Sequence, residues 1–281
     1  MDLADIRRLV IVAMFSDDAL FNKLVLKGGN AISLVYRYGA RGSLDVDFSI
    51  EGDFDDVEDA GKRIMAALAN RFAAAGLDLF DYTFGPRPAT NSANPKWGGY
   101  RIQFKLIERQ KHGELRKDLE ASRRNATVIG PTQQRTFTID VSKWEFCEGK
   151  VETKLDEFAI FVYTPAMLAI EKLRAVCQQM NEYLARGQKT ARARDFYDIF
   201  VILEESKIDL TTTDNGDLVH TIFAAKDVPL ELMGLIANYR EFHRLDWPSV
   251  EATVVRELRP FDFYFDYVLS IVRKLESLWK K

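Results

Sequence analysis

Apolar and polar residues alternate along this chain with two different periods, and the change falls near residue 163. In the first helix-like stretch, residues 1–21, Ile6, Leu9, Val10, Ala13 and Met14 recur at helical spacing. Residues 24–26 predict a short strand that stops at Lys27-Gly28-Gly29, and residues 30–36 return to helical spacing. A turn at 39–42 leads into strict alternation over 44–50. Leu44, Val46, Phe48 and Ile50 take one face, and Asp45, Asp47 and Ser49 the other. A helix is predicted over 56–75, and strands over 77–84 and 100–108 on either side of a Pro/Asn/Gly-rich loop. In the strand predicted over 135–143, Phe137, Ile139 and Val141 oppose Thr138, Asp140 and Ser142; a last strand covers 158–163.

Thr164-Pro165 then reads as a helix start, an N-cap hydroxyl followed by a proline where no N–H is needed. Ile170, Leu173, Cys177, Met180 and Leu184 form an apolar stripe up to Gly187. Phe196, Ile199, Phe200 and Leu203 mark a second helix, and 218–223, 230–240 and 264–278 look helical too. The expected architecture is α/β (α+β): a lobe with a mixed sheet over residues 1–163, then a mostly helical lobe over 164–281 that completes a cleft.

Composition narrows the chemistry. With 281 residues, 47% of them hydrophobic, the chain can bury a substantial core. Its longest wholly apolar run, residues 9–15, is far short of the roughly 20 residues that cross a membrane. The acidic-then-basic opening does not read as a secretory signal, so no membrane partner is expected. Cys147 and Cys177 are too few for a disulfide framework or a thiolate zinc site, and a reducing cytoplasm is the expected location. A net charge of -3 provides no global basic field for nucleic acid. His112, His220 and His243 fit no metal-ligand spacing, and the serine-hydrolase, P-loop and dinucleotide motifs are absent. Carboxylates remain.

Residues two apart on a strand share a face, so Asp45 and Asp47 project side by side, about 6–7 Å apart at Cα. Two carboxylates so placed repel unless a cation lies between them, and Mg²⁺ suits oxygen ligands together with substrate phosphates. Gly28-Gly29 ends one element and opens a helix, which lets backbone approach a phosphate closely. Asp140 adds a third carboxylate, and three could hold two metals about 3.5–4 Å apart. A glycosyltransferase Asp-x-Asp competes, but it usually closes a buried apolar strand, and Tyr38-Gly39-Ala40-Arg41-Gly42-Ser43 is not one. Nucleotidyl transfer is the better reading.

Lys27-Gly28-Gly29 through Asp45-Val46-Asp47-Phe48 resembles the polymerase-β-type nucleotidyltransferases. More narrowly it is similar to the AbiEii/AbiGii family with the related MenT toxins, which belong to bacterial abortive-infection and type IV toxin–antitoxin systems. That family's pattern is a glycine pair, an Arg-x-Ser-x-Asp-x-Asp strand, a later strand aspartate, then a helical lobe with a lysine and a further aspartate motif. Glu171-Lys172-Leu173-Arg174-Ala175 and Arg192-Ala193-Arg194-Asp195-Phe196-Tyr197-Asp198-Ile199 match the last two; Asn30 stands where a small hydroxyl residue is commoner. The last 70 or so residues match no motif.

The resemblance implies a nucleoside triphosphate held by Lys27, Gly28, Gly29, Asn30, Arg41, Ser43 and Asp198. It implies two Mg²⁺ on Asp45, Asp47 and Asp140, and catalytic roles for Asp45, Asp47, Lys172 and Asp195. The implied reaction moves a nucleoside monophosphate to an RNA 3′ end, tRNA in particular, and a cognate antitoxin is implied as partner. Two other readings stay open: transfer of AMP or GMP to a protein hydroxyl, and an inactive nucleotide-binding module. Spacing alone would make Asp195, Asp198 and Arg194 a surface ion-pair ladder. Basic stretches at 101–124 and 186–194 would track an RNA backbone if both border one cleft.

Overall fold

The computed structural model describes residues 2–39, 43, 45–88, 96–129, 133–254 and 257–280. Helices α1 (Leu3–Met14) and α2 (Asp18–Lys23) replace the single helix expected at the start. The break is local: Asp17 accepts hydrogen bonds from the N–H groups of Ala19 and Leu20 and so caps a new helix. Strand β1 (Val25–Lys27) passes directly into α3 (Gly28–Asn30), which continues as a wider π-wound turn over Ala31–Val35. Strand β2 (Val46–Ser49) is shorter than the alternation suggested, and Asp45 stands at a bend just ahead of it.

Helix α4 (Val57–Ala74), capped by Asp56, precedes a long hairpin of β3 (Leu77–Arg87) and β4 (Gly99–Glu108). Two short helices, α5 (Arg109–Glu114) and α6 (Leu119–Asn125), occupy a stretch with no predicted element. Strand β5 (Phe137–Ser142) follows, then a hairpin of β6 (Val151–Leu155) and β7 (Phe158–Val162). Sequence patterning missed β6 because it is an edge strand, mostly exposed, without an alternating apolar face.

The seven strands form one mixed sheet in the order β3-β4-β5-β2-β1-β7-β6. The pairs β2–β5 and β1–β7 are parallel; all other neighbours are antiparallel. Val46, Phe48, Ile102, Phe104, Ile139 and Val141 point into a core beneath α1 and α4. The opposite face carries the polar residues.

After β7 the chain is helical: α7 (Pro165–Cys177), α8 (Ala193–Ser206), α9 (Thr213–Ala224), a 3-10 segment (Leu230–Tyr239), α10 (Arg240–Arg244), α11 (Trp247–Glu251) and α12 (Phe261–Lys274). Thr164 accepts from the Met167 N–H at 3.3 Å and Pro165 occupies the first turn, as the sequence predicts. The helix ends at Cys177, well before Gly187, and Leu184 is 87% exposed, so it does not extend the buried stripe. Phe196, Phe261, Phe265, Trp247 and Tyr264 make an aromatic core joining α8, α11 and α12. No helix among the described residues is long and apolar enough to cross a membrane.

Candidate active site

Residues directly opposite on paired strands project to the same face. The register sets Lys27 of β1 opposite Asp47 of β2, Asp47 opposite Asp140 of β5, and Asp140 opposite Arg101 of β4. One row across four strands therefore reads cation, acid, acid, cation. Asp45 enters beside it from the bend before β2. Lys27, Asp47 and Asp140 of this row floor a cleft of about 600 Å³, walled on its far side by α7 and the segment leading into α8.

Gly28 makes the row possible. Its φ of +70° is a conformation that side chains resist, and a Cβ there would lie 2.3 Å from Asp47 Oδ2. Burial in the cleft pushes the Asp47 carboxyl up to about 7; Lys27 opposes this, while Asp140, Asp45 and Glu171 add to it. Asp45 is raised for the same first reason, then by Asp140. Burial also raises Asp140, against the pull of Arg101.

Behind this row lies a buried ion network. Glu145 is its hub: Arg174 donates to Oε2 at 2.9 Å, while Lys27 and Lys226 stand 3.4 and 3.6 Å from Oε1. Glu171 lies 3.4 Å from Lys27 and 3.6 Å from Arg174. Burial would raise the Glu145 carboxyl, but Arg174, Lys27 and Lys226 outweigh it and hold it at about 2. Burial in turn brings the Lys226 ammonium down to about 8. Sequence reasoning missed Glu145 and Lys226, since a lone acid or lysine without a motif carries no local signal.

Across the cleft, Lys172 is only 6% exposed, and its ammonium is held by Asp195 at 3.0 Å and Asp198 at 2.7 Å. Both acids are buried, so the surface-ladder reading does not hold: Arg194 instead donates to Ser249 Oγ at 2.9 Å. Arg192 ties Asp195 from the other side. Lys172 and Asp195 line the cleft, whereas Asp198 reaches Lys172 from behind, next to Tyr197 and Val201.

The remaining expected residues divide in the same way. Lys27, Gly28, Gly29, Ser43, Asp45, Asp47 and Asp140 line the cleft. Asn30 does not; it is wholly buried and donates to the Asp45 carbonyl at 2.6 Å, fixing the backbone that presents the first carboxylate. Ser43 Oγ donates to the same carbonyl at 3.2 Å. Arg41 lies outside the described residues. The two basic stretches separate as well. Arg186, Arg192 and Arg194 border the cleft, but Lys105 and Arg123 are paired to Asp81 and Arg109 to Asp78, acids of β3. Both cysteines are buried, and burial raises the Cys147 thiol to about 12, which leaves it unfit as a nucleophile at neutral pH.

Whether Mg²⁺ fits turns on the donors. Asp45 and Asp47 offer a carboxylate pair whose raised affinity for protons a cation would relieve, and Mg²⁺ commonly uses one or two carboxylates plus phosphate oxygens and water. Among the described residues no three metal-binding side chains converge on one point. Asp140 is gripped by the Arg101 fork, with both bonds at 2.8 Å, and by Arg87. The pair fits the ion; Asp140 would first have to leave its arginines.

A glycine turn laid against strand carboxylates, faced by a lysine from a helical layer, defines a nucleotidyltransferase-type cleft. The sequence matches the family described as "Nucleotidyl transferase AbiEii toxin, Type IV TA system" over residues 10–267, and the chain belongs to that family. Membership brings a nucleotide substrate and an antitoxin partner. The fold is similar to that of JHP933 from Helicobacter pylori, with TM-score 0.51 and 13% identity over 98% of this chain and 90% of that one. A second H. pylori structure, provisionally described as a nucleotidyltransferase, has TM-score 0.49 and 14% identity over 99% of this chain and 96% of that one. No curated protein matches the sequence.

Proposed function

We propose that this chain is a Mg²⁺-dependent toxin of the cytoplasm that transfers a nucleoside monophosphate from a nucleoside triphosphate to an RNA 3′ end, tRNA foremost, and so arrests translation and growth. What carries the reading is the Lys27–Asp47–Asp140–Arg101 row beneath the Gly28 turn, with Lys172 buried and oriented opposite. In it, Gly28 and Gly29 admit the phosphates close to backbone, Lys27 and Arg194 supply positive charge, and Asp45 and Asp47 would hold the ions, joined by Asp140 once it leaves Arg101 and Arg87. When bound, the ions neutralise phosphate charge and polarise the attacking hydroxyl.

The acceptor oxygen bonds to the α-phosphorus as the α–β anhydride bond breaks and pyrophosphate leaves. Asp140, once released from Arg101 and Arg87, would aid loss of the hydroxyl proton. Lys172 offsets negative charge as it builds on the transferred phosphoryl, and Asp195 with Asp198 keeps the ammonium aimed. A pre-oriented cation of this kind has no reorganisation to undergo at the moment of reaction.

The test incubates the protein with Mg²⁺, total RNA, total protein and each α-labelled nucleoside triphosphate in turn. Label should enter a tRNA-sized band, and Asp45→Ala or Asp47→Ala should lower the rate at least ~10²-fold. Label in protein would replace RNA with a protein hydroxyl as acceptor. Equal labelling by wild type and Asp47→Ala would remove the assigned site.

A further inference from the structure

Trp97 is an aromatic side chain in a cleft otherwise built from charge. It stands two residues ahead of β4, half-buried, and lines the cavity beside Gly98 and Gly99 without joining the hydrophobic core. The neighbouring Tyr100 is fully engaged: its ring stacks on Phe84 at 5.1 Å between centroids, and its hydroxyl donates to Asp53 at 2.6 Å. Over the Trp97 ring lies the Arg186 guanidinium, 6.0 Å from the centroid. That is the outer limit of a cation–π contact, so the guanidinium does not seal the ring face. Arg186 is steadied by donating its Nε–H to the Gln188 carbonyl at 3.0 Å, and Asp195 acts on it through charge alone. Gln178 and Thr190 line the same cleft on either side of Arg186 in sequence, the Gln178 side chain already bonded to the Tyr183 hydroxyl.

An indole left facing a polar cleft exposes apolar surface to water, which is unfavourable until something flat covers it. Phosphate does not. A nucleobase does, because its π face stacks on an aromatic ring and on a planar guanidinium alike. We propose that Trp97 and Arg186 form the nucleobase subsite of this cleft, where a base stacks on the indole and Thr190 stands within the pocket to meet its polar edge. The proposal rests on the nucleotide reading above and goes beyond it by assigning the residues that grip the base, as distinct from those that grip phosphate. The base belongs either to the nucleoside triphosphate or to the acceptor's terminal nucleotide.

The full chain and its Trp97→Ala and Trp97→Phe variants would be titrated calorimetrically, in Mg²⁺, with nucleoside triphosphates, inorganic tripolyphosphate and a short unphosphorylated oligoribonucleotide. Trp97→Ala should weaken nucleoside triphosphate binding about tenfold to a hundredfold and leave tripolyphosphate unchanged, while Trp97→Phe retains most of the affinity. If the loss appears only with the oligoribonucleotide, the subsite stands and its base is the acceptor's. Should Trp97→Ala bind every probe as wild type does, or lose tripolyphosphate equally, the subsite is overturned while the phosphate reading survives. A wild-type chain that binds neither triphosphate nor tripolyphosphate would overturn both.

Discussion

Gly28 and His243 show how much a single residue settles here. At Gly28 a left-handed backbone costs a non-glycine residue about 1–2 kcal/mol, and the Asp47 carboxylate occupies the space a Cβ would need. Gly28→Ala should therefore lower the melting temperature and, by displacing Asp47, cut label transfer roughly 10²-fold. Both readouts come from one preparation. His243 is wholly buried, and its Nδ1 accepts from the Arg192 N–H at 3.2 Å, which requires a neutral ring. Burial lowers its pKa from 6.5 to about 4. As pH falls the unfolded chain takes up this proton first, so the stability present above about 6.5 drains away down to about 4 and then levels. His243→Gln should lack that component: melting curves from pH 7 to 4 should show wild type losing its margin over the variant. A constant difference across that range would exclude the assignment.

At the scale of elements, α7 is the connector. Its interior carries Lys172 and Arg174, charges that a helix so deeply buried can hold only because Asp195, Asp198, Glu145 and Glu171 meet them. The apolar stripe made the helix readable in the sequence, yet the stripe also suggested a longer one. The helix ends at Cys177, and in the turn beyond it Gln179 accepts from the Thr190 N–H at 3.0 Å. Glu145→Ala would leave Lys27, Arg174 and Lys226 around a site with one acid fewer. Breaking a buried pair in this way costs about 3–5 kcal/mol, and urea unfolding should register a loss of that size. A variant as stable as wild type would mean the hub is solvated.

For the whole molecule, the cleft is where a sheet's polar face meets a helical layer. On the α8 side its rim carries Arg186, Arg192 and Arg194, whereas no cation of the other basic stretch borders it and acids of β3 pair with Lys105, Arg109 and Arg123. RNA binding should accordingly depend on the 186–194 segment. Arg194→Ala should reduce the slope of log affinity against log salt by about 1, whereas Arg109→Ala should leave it unchanged. Filter binding across a salt series measures both.

Short-range chemistry was readable from the residues alone. Period-two alternation placed Asp47 and Asp140 on polar strand faces, the glycine pair marked a tight strand-to-helix turn, and Thr164-Pro165 marked the start of the helical part. Such signals depend on neighbours within a few positions, which sequence pattern records. Strand register, by contrast, decides that Lys27, Asp47, Asp140 and Arg101 form one row, and the hub at Glu145 meets Lys27 from 118 positions away. The same holds for Asn30, which looked like a phosphate contact and is instead a brace under Asp45. Burial and pairing at such separations follow from how the layers close on one another, and only the tertiary structure decides that.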